Sequence, residues 1–140
     1  MITAVDISGR HSEKNRYFMV CAAVTLSYSG GNIRGVEGVH IVPYSNPSPP
    51  EIVDVVRMIE ATVEGLGIES TVVAERGDLF NQPEESVRQM FRLDFKYPES
   101  LIERLAIEFA HHVSLGSRNL LLRQECTEKA SFITGADSRE

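Results

Sequence analysis

A chain of 140 residues with 42% apolar side chains can bury roughly two thirds of its unfolded surface and sustain one core without staples. Its two cysteines, Cys21 and Cys126, lack C-x-x-C spacing, which argues against a disulfide framework or a thiolate zinc site and reads them as buried or inert thiols. A net charge of −6 argues against a large non-specific nucleic-acid footprint, and neither a basic leader nor a membrane-length apolar run is present, so the expected compartment is the cytoplasm.

In chain order, Ile2 to Ser8 is β-branched and apolar up to Asp6, Gly9 to Asn15 is a polar loop, and Tyr17 to Leu26 is an apolar run of strand composition. Ser29-Gly30-Gly31-Asn32 is a hairpin signal, and Ile33 to Val42 resumes as a strand in which Gly35 and Gly38 suggest a bulge or an edge. A three-strand antiparallel meander follows. Ser48-Pro49-Pro50-Glu51 has capping-box spacing, and Ile52, Val55, Val56, Ile59, Val63 and Leu66 recur at helical intervals up to Gly65 or Gly67. Ser70 to Ala74 reads as a short buried strand ending on Glu75, and the intervening helix makes it a parallel crossover partner.

Pro83 opens a second helix with Val87, Met90 and Phe91 on its apolar side. Pro98 opens a third, carrying Leu101, Ile102, Leu105, Phe109 and Val113 and stopping at Gly116, and Asn119 to Arg123 is expected as a fifth strand. The expected organisation is one α/β domain over residues 1–125 and a polar tail over 126–140.

This element order resembles the ribonuclease H-like superfamily, a five-stranded mixed sheet of three antiparallel strands then two parallel ones, with flanking helices. Val5-Asp6-Ile7-Ser8-Gly9-Arg10 resembles the opening of type 2 ribonuclease H, matching its Asp, Gly and Arg at Asp6, Gly9 and Arg10, with Ala22-Ala23-Val24 as the small-residue second strand. Val72-Val73-Ala74-Glu75 resembles the fourth strand of Holliday-junction resolvases, where a glutamate ends the strand beside the first-strand aspartate. As a whole the chain also looks like a small archaeal family of unknown function.

The resemblance implies a nuclease in which Asp6 and Glu75 are catalytic and hold one or two Mg²⁺ or Mn²⁺ ions, and Gly9 and Arg10 contact the substrate phosphate. Hard carboxylate oxygens suit such ions, and a predominance of arginine over lysine suits bidentate phosphate contacts. Against it, the acid that follows the aspartate in type 2 ribonuclease H is Ile7 here, and Asp137 is the lone aspartate after the expected fifth strand, which leaves the third metal ligand unidentified. The rival reading is a catalytically degenerate domain of the same fold, serving as a protein-interaction or self-association module, with a homodimer compatible with either. A small-molecule site at the strand ends is a third.

The candidate residues also admit plainer roles. Asp6 could start an Asx-type turn, and Glu75 could pair with Arg76 or Arg10, with Asp78 supplying an acid to the same loop. Arg10, His11, Lys14 and Arg16 cluster in the first loop, where they could grip phosphate or be merely solvated. His111 and His112 read as cationic caps in the last turn of their helix, since adjacent helical residues point about 100° apart and cannot both face one site.

Overall fold

The structure, a computed structural model, describes the backbone of residues 1–9, 12–13 and 16–134 and the side chains of residues 1–9 and 16–124. It is an α/β fold built around strand β1, Ile2–Ser8, all seven residues of which are buried. A strand covered on both faces has no need of alternating polar residues, which is why ITAVDIS reads as almost continuous apolar sequence. β3, Arg16–Ser29, runs antiparallel to β1 with Val5 opposite Ala23 and Asp6 opposite Ala22. β2, Ser12–Glu13, resumes the same ladder against Tyr17 and Arg16.

β4, Asn32–Asn46, returns along the far side of β3. Gly30 and Gly31 make the turn with φ of 59° and 77°, the left-handed pair that a two-residue hairpin loop demands. The expected bulges are present: the register of β3 and β4 shifts between Thr25 and Leu26 and again between Ser27 and Tyr28, opposite Gly38 and Gly35. The antiparallel meander is thus as the sequence implied.

α1, Ile52–Glu64, crosses over to β5, Val72–Ala74, which lies parallel to β1 with Ala74 beside Val5. The helix start is one turn later than expected: Asp54, not Glu51, closes the box by accepting the Glu51 N–H at 2.8 Å. A 3-10 turn over Arg76–Leu79 and α2, Glu84–Met90, then lead to β6, Phe95–Lys96, parallel to β5. Across the sheet the main strands run β4, β3, β1, β5, β6.

The expected strand at Asn119–Arg123 is helix instead. α3 runs unbroken over Leu101–Thr134, and the fifth strand of the sheet is the earlier Phe95–Lys96. Gly116 lies inside α3 with no atom near the position of a Cβ, so it acts neither as a cap nor as a contact. An interior glycine costs a helix only about 1 kcal/mol, too little to end one whose inward face continues through Ser117 and Leu121. The boundary expected at residue 125 falls within α3, and residues 135–140 lie outside the described residues.

Two helical layers sandwich the sheet. On one face α1 buries Val55, Val56, Ile59 and Val63 against Val5, Ile7, Cys21, Val72 and Ala74, with Leu79, Val87, Phe91 and Phe95 completing the cluster. On the other, α3 lays Ala106, Ile107 and Ala110 on Ile2, Ala4, Val24, Leu26 and Val73. Ala106, Ala110 and Ser114 recur every four residues and are wholly buried, so small side chains let α3 approach β1 closely.

Candidate functional site

Side chains alternate along β1, so Ile2, Ala4, Asp6 and Ser8 face α3 while Val5 and Ile7 face α1. Asp6 is therefore a buried carboxylate, 5% exposed, aimed at the helix rather than at a turn. Its Oδ2 accepts the Ser114 hydroxyl at 2.6 Å and faces His111 Nδ1 at 3.2 Å. Ser8 Oγ lies 2.6 Å from Ser114 Oγ.

Proton counting orders this network. A carboxylate only accepts, so Nδ1 of His111 carries the proton and a neutral ring presents the Nε2 lone pair. Ser114 has one proton, which goes to the short charged acceptor rather than to the His111 carbonyl at 3.1 Å, so Ser8 must donate to Ser114. The chain Ser8 to Ser114 to Asp6, met from the other side by His111, holds the carboxylate in one orientation. The His111 side chain is half exposed, so the dyad opens to solvent along the ring edge.

The reading of His111 and His112 as caps is corrected here. The helix continues past them, His111 meets Asp6, and the His112 ring lies tilted against the His111 ring with centroids 5.7 Å apart. The signal was present in the sequence, because His111 and Ser114 extend the inward positions Ile107 and Ala110 by one turn. It was masked by ending the helix at Gly116.

Glu75 follows Ala74, which pairs with Val5, so it leaves β5 at the same end of the sheet at which Asp6 approaches the end of β1. Its φ of −67° and ψ of 144° are extended, and it caps the 3-10 turn that follows. Glu75 is exposed. Asp78 lies in the following turn, 9% exposed, with its N–H bonded to the Glu75 carbonyl at 3.1 Å.

Gly9 has φ 94°, and a Cβ there would run into the Arg118 side chain and the Phe18 carbonyl. Arg118, one turn beyond Ser114, donates Nε–H to that carbonyl at 3.0 Å, so α3 brings a cation to the same strand end. Arg10, His11 and Lys14 lie outside the described residues. Among the described residues no three His, Cys, Asp or Glu side chains gather as a closed metal site would require. By donor chemistry, Asp6 and Glu75 offer the hard carboxylate oxygens that a Mg²⁺-type ion takes one or two at a time, with water and phosphate oxygen in its remaining positions.

Cys21 is wholly buried beneath α1, and desolvation pushes its thiol up to about 12 against a hydrogen bond from Thr62, while the Asp78 and Asp6 charges add to the rise. It is an inert thiol, as expected, while the side chain of Cys126 lies outside the described residues. A groove of about 950 Å³ lies between α1 and the amino ends of β5 and β6, where Glu60 caps the Arg92 N–H at 2.7 Å. This is the opposite end from Asp6, whereas open α/β sheets hold ligands at the carboxyl ends of their strands. No described helix is long and apolar enough to cross a membrane.

The chain is similar to an uncharacterized protein, MJ0095, of Methanocaldococcus jannaschii, at 29% identity over 123 residues, covering 87% of this chain and 97% of that one. No solved structure matches it. Residues 3–122 match the family model described as "Uncharacterized protein conserved in archaea (DUF2209)", a span that runs from the second residue of β1 into α3 and takes in the network from Asp6 to Ser114, and the chain belongs to that archaeal family.

Proposed function

We propose that this protein is a divalent-metal-dependent phosphodiester hydrolase of ribonuclease H-like type acting on nucleic acid, with Asp6, Glu75 and His111 at its centre. The observation that carries the reading is the buried Asp6 carboxylate at the carboxyl end of the central strand, oriented by Ser114 and His111 from the last helix. Three antiparallel strands followed by two parallel ones, with helices on both faces, support it as the arrangement that the resemblance implies.

Asp6 and Glu75 would supply carboxylate oxygens to Mg²⁺ or Mn²⁺. A bound ion of this kind supplies Lewis acidity and lowers the pKa of its water. Ser114 and Ser8 keep the Asp6 carboxylate from rotating away. His111, held through Nδ1, presents Nε2 to accept a proton from the attacking water or return one to the leaving oxygen. Arg118, with the phosphate-contact candidate Arg10, offsets substrate charge in a chain of net charge −6.

The test is thermal denaturation with and without Mg²⁺ or Mn²⁺, beside hydrolysis of single strands, duplexes, hybrids and junctions. Ion at about a hundred times its Kd should add roughly 2.7 kcal/mol of stability. Asp6→Asn should abolish both the shift and the hydrolysis, at a cost of about 1–2 kcal/mol in the metal-free protein because it weakens two hydrogen bonds to a buried charge. A wild-type protein indifferent to both ions and inert on all four substrates would leave the Asp6 network as a structural tie and refute the nuclease reading.

A further inference from the structure

We infer that the protein forms a two-fold symmetric homodimer in which α3 of each copy lies across the outer face of β4 of the other. Val36, Val39, Ile41 and Pro43 pair with Leu26, Val24, Ala22 and Val20, which places them on the α3 side of the sheet. α3 sits over β1 and β3 and leaves that row uncovered: Val36 is 50%, Val39 46% and Ile41 36% exposed. Beside the row, α3 turns a second uncharged stripe outward through Leu105, Phe109 and Leu120, exposed by 38%, 37% and 58%. Ile102 and Val113, on the same flank, join Ile33 of β4 at the edge of the inner core, so the stripe forms the wall of a groove whose floor is β4.

The occupant follows from the shape and chemistry of the groove. An apolar sheet face is covered by the apolar flank of a helix, and this surface carries one of each, side by side. A two-fold axis then lets each copy supply the helix that the other lacks, as an isologous interface requires.

The amount of surface agrees. The six side chains expose apolar area on the order of 450 Å² per copy, about the apolar share of the roughly 800 Å² per partner that a stable interface buries. No charged residue interrupts Leu105, Phe109 and Leu120 on the helix or Val39, Ile41 and Pro43 on the strand, in keeping with the charge depletion of interface centres. Two copies of net charge −6 repel, so added salt should tighten the dimer.

Sedimentation equilibrium on the full chain, at up to roughly 100 µM, should give twice the 15.6 kDa chain mass. Val39→Lys and Phe109→Glu, both at exposed positions, should each give a monomer of unchanged circular dichroism and nearly unchanged cooperative unfolding. Mixing the two variants should restore a dimer, because Lys at 39 of one copy then meets Glu at 109 of the other while the second groove pair stays apolar. A monomeric wild type refutes the inference. So does a dimer that survives both substitutions, or two monomeric variants that fail to reassociate on mixing.

Discussion

Glu103 fastens the start of α3, and Glu103→Gln tests whether that fastening carries the helix. Oε1 accepts the backbone N–H groups of Glu99 and Ser100, both at 2.9 Å, and Oε2 meets Lys96 Nζ at 2.8 Å, at the end of β6. Burial alone would raise this carboxyl, but the hydrogen bonds from Lys96, Ser100 and Glu99 outweigh it and hold it at about 2, below the usual 4.5. A depression of that size corresponds to a ceiling of ~3.4 kcal/mol. Glu103 is 12% and Lys96 24% exposed, so solvent screening reduces the expected loss in Glu103→Gln to about 1–2 kcal/mol.

The pH dependence has a definite sign. Because the folded-state value is depressed, the stabilisation is complete above about 4.5 and is lost as pH falls through about 2. Urea unfolding of wild type and Glu103→Gln should therefore differ most at pH 7, with the difference falling to less than half by about pH 3. Coincident unfolding curves at pH 7, or a gap that does not narrow with acid, would show that the carboxylate does not anchor α3. The same helix carries His111 and Ser114 to Asp6, so a loosened start should also weaken any metal response of the site.

Two further substitutions probe the other face of the sheet. Ile59 is fully buried between α1 and the sheet, so Ile59→Asp buries an unpaired charge and should abolish cooperative unfolding, and a melt at the wild-type temperature would refute the packing of α1. With its thiol near 12, Cys21 should be at least a hundredfold slower to alkylate at pH 8 than a free cysteine, and modification of the Cys21 peptide in the native protein, read by mass spectrometry, would contradict its burial.

Local chemistry carried much of the fold into the sequence. Gly30-Gly31 permits little but a tight hairpin, the period of Ile52 to Val63 is that of a helix with one buried face, and a crossover helix forces the parallel pairing of β1 with β5. Glu75 was placed as a neighbour of Asp6 only by the resemblance to the resolvases, but Asp6 itself was legible as an acid at the exit of a buried strand. These are properties of a few consecutive residues, and no distant contact is needed to impose them.

The end of α3 and the partners of Asp6 were of another kind. Whether Gly116 ends a helix depends on a balance of about 1 kcal/mol, and Leu120 to Leu122 suits strand or helix equally when read alone. The two-residue strand Phe95–Lys96 exists because β5 offers it a ladder, not because of its own composition. Docking of α3 through Ala106, Ala110 and Ser114 then joined residues more than a hundred positions apart, turning His111 from a terminal cap into the partner of Asp6. Composition and periodicity decide which face of an element is buried, but only the packing of α3 on β1 decides which polar groups on those faces meet.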